Sequence, residues 1–223
     1  MLNNLRVKKI HEFNNDIKDL IEKFSNEHNG LIFHDTGFNQ ITSKYIGSSF
    51  YYLLIYKNKE LVGACPVHKI KNKYFIGLMN WGIPYSGFLF DNSKIDLKQL
   101  INTIKLNHKE VLEYWSNPFN KNEITVLKKK GTLKKTPVIE LGEDTDKIFS
   151  EYVSRNTRHN VRRSIKKGIT VDSSNDKKNI NVFLELNEEL YNYLGLARFS
   201  ADYYKELKNN FDNVNKFFKI FIT

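Results

Sequence analysis

Runs of hydrophobic residues separated by polar turns predict that the chain begins as a mixture of strands and helices. Leu5 to Ile10 is a predicted strand. Apolar residues then recur at helical spacing in a predicted helix from Asp16 to Glu27, with Asn15 as its N-cap. A further helix is predicted from Gly37 to Ile46.

The clearest β signal comes next. Phe50 to Tyr56 and Leu61 to Val67 are apolar and aromatic runs separated by the polar segment Lys57 to Glu60, a pattern that predicts a hairpin. Tyr74 to Leu78 and Ser86 to Phe90 are predicted to be further strands, with glycines and a proline breaking the pattern between them.

The pattern then returns to helix and strand. Ser93 or Asp96 is expected to open a helix, and Val111 to Trp115 is a predicted strand. Glu123 to Leu127 and Pro137 to Leu141 are predicted strands on either side of a lysine-rich loop. This order of elements predicts an α/β layered domain of about 140 residues.

The character of the chain changes at Asp144. A long basic helix is predicted to run to about Lys167 and to end at Gly168. The remaining predicted elements are a strand at Ile169 to Val171, a loop at Asp172 to Asn179, a helix at Ile180 to Leu194, a helix capped by Ser200 and a strand at Phe217 to Ile222. The last strand lacks sheet neighbours in the remaining sequence, so we expect the chain to be cut inside a second α/β domain.

Composition places the chain among globular proteins. Of its 223 residues, 40% are hydrophobic and 27% are charged, which excludes a disordered or collagen-like chain. No apolar stretch approaches the ~20 residues that span a bilayer, and the N-terminus lacks a signal-peptide core. The single cysteine, Cys65, excludes an internal disulfide and a thiolate metal site. We therefore expect a cytoplasmic protein without a transmembrane segment.

The charge is the more informative part of the composition. The net charge of +10 favours polyanionic partners, namely nucleic acid, nucleotide phosphates or an anionic membrane surface. Lysine and arginine concentrate in two clusters, from Lys128 to Lys135 and from Arg155 to Lys167. For the first cluster, ordinary solubilising lysine is an equal alternative.

The second cluster has a helical arrangement. Arg155, Arg158, Arg162 and Lys166 fall on one side of a helix and form a cationic stripe. Val161 and Ile165 lie on another side, where we expect them to anchor the helix to a core, and no acid lies near enough in sequence to pair with the cations. A bound phosphate would relieve the repulsion, because guanidinium groups suit phosphate geometry. The alternative is a solvated basic face.

A glycine- and aromatic-rich segment, Gly77 to Asp91, is the second candidate site. Trp81, Tyr85 and Gly87 lie in it, and we expect the two rings to line a substrate cleft above the sheet. The alternative is an ordinary corner between two strands with a core aromatic residue.

Motifs of several established chemistries are absent from the sequence. The six histidines follow no metal-binding spacing, and there is no P-loop, dinucleotide fingerprint, hydrolase elbow or acyl-CoA pyrophosphate loop. We therefore predict no metal and no permanently bound cofactor. Asp35, Glu60 and Asp91 are candidate carboxylates, but nothing in the sequence selects a general base among them.

Four segments, in order, resemble the Fem-type acyltransferases, which are related to the GNAT superfamily. The segments are LVGACPVHKIKNKYFIGL (Leu61 to Leu78), GIPYSGFLFD (Gly82 to Asp91), NTRHNVRRSIKKGITV (Asn156 to Val171) and FLELNEELYNYLGLARFSADYYKEL (Phe183 to Leu207). The ordered set covers most of the chain from Phe50 onward. At Tyr193 the chain has Tyr-Leu-Gly-Leu, where peptidoglycan-directed members often have a turn containing Arg-Asp.

The resemblance implies two tandem domains, each with a GNAT-like mixed sheet and flanking helices, over residues 1–143 and 144–223, the second incomplete. It implies transfer of an acyl or aminoacyl group from acyl-CoA or aminoacyl-tRNA to an amine of a cell-envelope or polysaccharide precursor. The expected partners are a phosphate-bearing substrate (tRNA, CoA or a nucleotide- or lipid-linked precursor) and, peripherally, a membrane surface. The expected substrate-binding residues are Trp81, Tyr85, Gly87, Arg155, Arg158, Arg162, Lys166 and Tyr193.

Two other functions fit the same sequence. One is a non-catalytic, basic nucleic-acid-binding protein, and the other is a catalytically silent GNAT-like domain used for assembly. A steep weakening of binding with added salt would identify the nucleic-acid-binding protein. Such binding releases counterions from the nucleic acid, and added salt makes that release less favourable.

Overall fold

The structure is a computed structural model of the 223-residue chain. It describes residues 5–79, 83–107, 111–120, 132, 144–170, 172–174, 177–212 and 220–222. The chain divides into two compact units, the first formed by Met1–Leu133 and Asp202–Leu207 and the second by Lys134–Ala201 and Lys208–Thr223. The strands predicted at 123–127 and 137–141 lie outside the described residues, and the tandem-domain boundary stays a prediction.

A mixed sheet is the centre of the first unit. Its strands are β1 (Leu5–Ile10), β2 (Ser49–Lys57), β3 (Glu60–Ile70), β4 (Lys73–Ile76), β5 (Leu89–Phe90) and β6 (Val111–Tyr114). The order is β1-β2-β3-β4-β6, and β5 pairs with β3. All pairs are antiparallel except β4 with β6, which are parallel. The predicted fold class, a mixed α/β sheet flanked by helices, is confirmed.

The predicted hairpin is β2 and β3, joined by Asn58 and Lys59. Both residues have positive φ, 51° and 70°, as a type I′ turn requires of its two central positions. Such a turn matches the right-handed twist of the two strands, and asparagine tolerates it better than most residues. The polar segment between the apolar runs therefore sets the register of the longest strand pair.

In the described part of the first unit, the sheet is flanked by the α-helices α1 (Asn15–Glu27), α2 (Thr36–Ile46) and α3 (Leu97–Asn107). The α1 cap is Asn14, whose side chain accepts from the Ile17 amide at 3.0 Å, so the prediction of Asn15 was wrong by one position. Asp35 caps α2 in the same way, and α2 ends at Gly47 with a φ of 66°. A short 3-10 helix, Ile32–His34, lies between α1 and α2.

Successive side chains of β2 point to opposite faces of the sheet, and a hydrophobic core lies on each face. Tyr51, Leu53 and Ile55 face one way and belong to the core that contains Leu100 and Ile104 of α3. The intervening Tyr52 and Leu54 belong to the opposite core, with Ile21 and Phe24 of α1. Because β2 is covered on both faces, its sequence is a continuous apolar run rather than an alternation.

The second unit contains α4 (Thr145–Glu151), α5 (Arg155–Lys166), β7 (Asp172–Ser174), α6 (Lys177–Leu194) and β8 (Ile220–Ile222), and the helix α7 (Ala201–Asp212) is shared between the two units. The long helix predicted from 144 to 167 is therefore two helices. The break follows from Ser154, whose hydroxyl accepts from the Thr157 amide at 3.2 Å and caps α5.

The strands of the second unit also differ from the prediction. Ile169 and Thr170 lie outside any strand, and Asp172–Ser174, predicted as loop, form β7. This strand pairs antiparallel with β8, so the expectation that the last strand lacks a sheet neighbour was wrong. No helix in the described part of the chain is long and apolar enough to span a membrane.

Residues 202–207 of α7 belong to the first unit by their contacts. The Tyr203 hydroxyl lies 3.2 Å from Thr42 Oγ1, and Glu206 accepts from Lys44 Nζ at 2.6 Å. Tyr203 and Leu207 are buried, so one helical turn of α7 packs against α2 through an apolar face with a polar edge.

Candidate functional site

The glycine-rich loop returns to the sheet through a pair of backbone hydrogen bonds. Leu78 and Ile83 bond each other in both directions, at 2.7 and 3.0 Å. Gly87 is buried with a φ of 67°, a conformation that disfavours a side chain. Tyr85 is half-buried, with its ring edge-on to Phe33 at 6.3 Å. Trp81 lies outside the described residues, so the prediction that both rings line a cleft stays a prediction.

A buried imidazole, His34, lies beneath this loop. Its Nδ1 accepts from the Leu31 amide at 3.0 Å, which leaves Nε2 as the protonated nitrogen of the neutral ring. Burial lowers the pKa of His34 to about 4, although the nearby backbone of Ser86 opposes the shift. Among the described residues, no hydrogen bond of standard geometry reaches Nε2 or the buried Ser86 hydroxyl. The loop and the 3-10 helix thus meet at polar groups that are buried from solvent.

A second buried histidine, His68, joins β3 to the segment that carries His34. Its Nε2 lies 2.9 Å from Asn39 Oδ1 and its Nδ1 lies 3.1 Å from Ser48 Oγ. Asn39 in turn donates to the backbone carbonyls of Phe33 and Asp35 at 2.9 and 2.7 Å. Burial lowers the pKa of His68 to about 4, so the ring is neutral at physiological pH. This network fixes the 3-10 helix against α2 and β3.

An open polar cleft of about 410 Å³ lies elsewhere in the first unit. Among the described residues, three separate segments line it: Glu27, His28 and Asn29; Phe90, Asp91, Asn92 and Ser93; and Phe119 and Asn120. No lysine or arginine is among these lining residues, although the whole chain carries a net charge of +10. The cleft therefore presents two carboxylates, an imidazole and several amides.

Aromatic contacts and amide bonds hold the walls of this cleft. The His28 ring packs against the Phe24 ring, with centroids 4.2 Å apart and the ring planes tilted by 46°. Asn117 donates to the Asn29 carbonyl at 2.8 Å and thereby joins the segment after β6 to the end of α1. Phe119 is half exposed at the rim. A flat apolar ring beside amides and carboxylates can bind an organic ligand that carries an amine.

The structure separates the three candidate carboxylates. Asp35 caps α2, accepting from the Phe38 amide at 2.8 Å, and Glu60 is paired with Lys94 at the surface. Asp91 lines the cleft, and its pKa is lowered to about 2, chiefly by hydrogen bonds from Ser93 and also by Lys94, whose Nζ lies 3.1 Å away. Asp91 is therefore a fixed negative charge near neutral pH and not a proton acceptor.

In the second unit, two arginines of the predicted stripe have contacts within the protein. Arg158 is half-buried and its Nη1 donates to the backbone carbonyls of Ser150 and Val153, the latter at 2.9 Å. Arg162 lies over the Phe149 ring at 5.9 Å. Both contacts attach α4 to α5. Arg158 donates to carbonyls at the end of α4, which lack partners within the helix, and the Arg162 guanidinium lies over an aromatic ring of α4.

The other two stripe residues, Arg155 and Lys166, are exposed. Neither makes an ion pair with any carboxylate of the described residues. The prediction that Val161 and Ile165 anchor α5 to a core is wrong, since they are 39% and 65% exposed. The helix is instead held through its arginines and leaves apolar side chains in solvent.

The last sequence-predicted residue, Tyr193, lies on α6 with 86% of its surface exposed. The structure thus brings Tyr85 and Gly87 together in one loop and places Arg158 and Arg162 together against α4. Sequence reasoning selected neither His28 of the cleft lining nor the buried His34 from among the six histidines. The available signal for His34 was its position between an apolar pair and the capping residue Asp35, a pattern too common to select it.

Comparisons with known proteins support the fold. No protein-family model matches the chain, and no curated protein matches it. Among solved structures, a crystal structure of FemX is similar, with 19% sequence identity and a TM-score of 0.54. The match covers 91% of this chain and 54% of the FemX chain, so the chain spans about half the length of that structure. The mixed sheet with flanking helices described above is therefore a Fem-like fold.

Proposed function

We propose that this chain is an N-acyltransferase of the Fem type. It transfers an acyl or aminoacyl group from an activated donor, acyl-CoA or aminoacyl-tRNA, to an amine of a cell-envelope or polysaccharide precursor. The observation that carries the proposal is the Fem-like fold over 91% of the chain. The ordered Fem-like segments of the sequence support it independently.

The polar cleft supplies the environment that an amine acceptor needs. Glu27 and the permanently charged Asp91 favour an ammonium group, and no lysine or arginine is among the lining residues that the structure describes. Lys94, which pairs with Asp91 at 3.1 Å, is not among those lining residues and offsets part of the charge of Asp91. We assign His28, the imidazole of the cleft lining, as the group that accepts a proton from the ammonium. The freed amine attacks the carbonyl carbon of the donor. A C–N bond forms, the C–O or C–S bond breaks, and the leaving oxygen or sulfur takes a proton.

Phosphates of the substrate fit the cationic residues of α5. Arg155 and Lys166 have no intramolecular ion pair among the described residues and can bind phosphate without breaking one. Arg158 and Arg162 stay in the proposed phosphate site as residues that also position α5. Tyr85 and Gly87, together with Trp81 and Tyr193, remain proposed substrate contacts.

A transfer assay with both donor classes tests the proposal. The 223-residue protein is incubated with a UDP-linked muramyl peptide and either radiolabelled acetyl-CoA or a pool of labelled aminoacyl-tRNAs, and the acceptor is analysed by mass spectrometry. We expect one donor class to add its acyl mass to the acceptor amine. Absence of transfer from both donors by folded protein, tested also on simple primary amines, would refute the proposal.

A pair of variants tests the assignment of His28 as the proton acceptor. His28→Gln should lower kcat by about 10²-fold or more, the range of general-base catalysis, while leaving the fold intact. His11→Gln is the matched control, because His11 is exposed and does not line the cleft. Equal activity of the two variants would remove His28 from the mechanism without removing the transferase proposal.

A further inference from the structure

Two isoleucines that are four positions apart in the sequence are exposed at the C-terminal end of α5. Ile165 is 65% exposed and Ile169 is 46% exposed. Between them, Gly168 has a φ of 81°, and its amide bonds the Ile165 carbonyl at 3.0 Å. The Ile169 amide bonds the Ser164 carbonyl at 3.1 Å, which completes a Schellman motif. This motif holds Ile169 back against the last turn of the helix, so its exposure is a property of an ordered segment.

Cations surround these apolar residues. Arg163, Lys166 and Lys167 are exposed at the same end of the helix, and α5 contains no acidic residue. None of the three forms an ion pair with a carboxylate that the structure describes. Positive charge at this end also suits the negative end of the helix dipole, so the cluster is locally compatible with the helix.

The apolar residues continue along the helix. Val161, 39% exposed, lies one turn before Ile165, and Ile169 follows one turn later. The result is a short apolar stripe beside a cationic one, which we call the α5 tip (Val161, Arg163, Ile165, Lys166, Lys167 and Ile169). An exposed apolar stripe flanked by unpaired cations is the arrangement of helices that lie in a lipid interface.

The positive charge and the apolar stripe together favour an anionic bilayer over a nucleic acid as the partner. A nucleic-acid backbone would pair with the cations but would leave the isoleucines in water. An anionic bilayer satisfies both, because lysine and arginine extend their charged ends to the headgroups while apolar side chains enter the acyl boundary.

We propose that the α5 tip docks on an anionic phospholipid bilayer. Docking would place α5, the helix proposed to bind substrate phosphates, at a lipid surface, and this favours a lipid-linked substrate. In this respect the inference rests on the proposed function. It can fail separately, because vesicle binding is measured without donor or acceptor.

Co-sedimentation of the 223-residue protein with vesicles tests the inference. We expect binding to vesicles that contain phosphatidylglycerol and much weaker binding to pure phosphatidylcholine. Ile165→Ser should weaken the first by about tenfold, as expected for one buried aliphatic side chain. Leu186→Ser is the matched control, because Leu186 is 52% exposed on α6, and it should bind like the unmodified protein. Lys166→Ser should weaken binding and reduce its salt dependence.

Several results would overturn the inference. One is equal binding to both vesicle types, and another is an Ile165→Ser variant that binds like Leu186→Ser. Binding to tRNA that Lys166→Ser weakens, with no vesicle binding, would identify the surface as an RNA contact. A dimer in lipid-free analytical ultracentrifugation that Ile165→Ser dissociates would show that a second copy covers the stripe.

Discussion

Acid should destabilise this protein progressively between pH 6.5 and pH 4, because of His34 and His68. Both rings are buried, and burial lowers both pKa values from 6.5 to about 4. Unfolding exposes the rings to water and returns each to its ordinary pKa. Between pH 6.5 and pH 4 the unfolded chain therefore binds more protons than the folded one, and stability falls as the pH falls.

The size of the effect follows from the two pKa values. Each histidine contributes a slope of about 1.4 kcal/mol per pH unit within this window. From pH 7.5 to pH 4.5 each should therefore remove about 2–3 kcal/mol from the free energy of unfolding, and the two together about 5 kcal/mol. That is a large fraction of the ~5–15 kcal/mol that stabilises an ordinary domain. Asp91, with its pKa of about 2, contributes little above pH 4.5.

Urea denaturation at half-unit pH steps measures this slope. Replacing one ring by His68→Gln removes a titrating group, so the stability of that variant should depend on pH about half as steeply. His159→Gln is the control, because His159 is exposed on α5 and its replacement should leave the slope unchanged. A free energy of unfolding that stays flat between pH 6.5 and pH 4.5 in the unmodified protein would refute the reasoning. A drop of the same steepness in His68→Gln would refute the role of His68.

Three further predictions concern stability and are checked by thermal or urea denaturation. Gly77→Ala should lower the free energy of unfolding by about 2–4 kcal/mol, since φ is 81° and the new Cβ would lie 2.8 Å from Trp115 Cβ. Gly47→Ala should lower it by about 1 kcal/mol, since φ is 66° but nothing lies near the new Cβ. Arg158→Gln should cost about 1–3 kcal/mol through its lost bonds to carbonyls, while Arg155→Gln should stay within about 0.5 kcal/mol. Leu207→Ala should cost about 2–5 kcal/mol, because Leu207 is 3% exposed.

Local signals predicted most elements of the first unit. The strand Leu5–Ile10 and the β2–β3 hairpin agree with the prediction, because apolar runs and a polar turn carry their own geometric information. The strand predicted at Ser86 to Phe90 is only Leu89–Phe90 in the structure. Gly87 explains the difference, since its φ of 67° takes the chain out of extended conformation just before β5.

The second unit was harder to predict because its signals compete. From Asp144 to Lys167 the residues favour helix throughout, and the break depends on one serine whose hydroxyl bonds the backbone. Serine occurs both inside helices and at their caps, so its residue type alone does not decide between the two. The apolar spacing of Val161 and Ile165 indicated a buried side, but burial needs a partner surface that local sequence does not specify.

The candidate cleft was beyond sequence reasoning for a different reason. Its lining comes from segments around residues 28, 91 and 119, which only the fold brings together. Asp91 was one of three candidate carboxylates from its residue type, and only its position among the cleft-lining residues distinguishes it from Asp35 and Glu60, while hydrogen bonds from Ser93 keep it charged. Long-range contacts of this kind leave no periodicity in a single sequence.

The cations of α5 have different roles: Arg158 stabilises the structure, whereas Arg155 and Lys166 are exposed and available to a ligand. They cannot be interpreted as one ligand-binding stripe. The bonds of Arg158 to Ser150 and Val153 satisfy carbonyls at the end of α4, so charge reversal there would damage the fold as well as any phosphate contact. Arg155 and Lys166 have no such bonds among the described residues, and a change at either can weaken binding while leaving stability almost unchanged. Loss of phosphate binding in Lys166→Ser at constant stability is therefore the observation that separates a ligand site from a structural one.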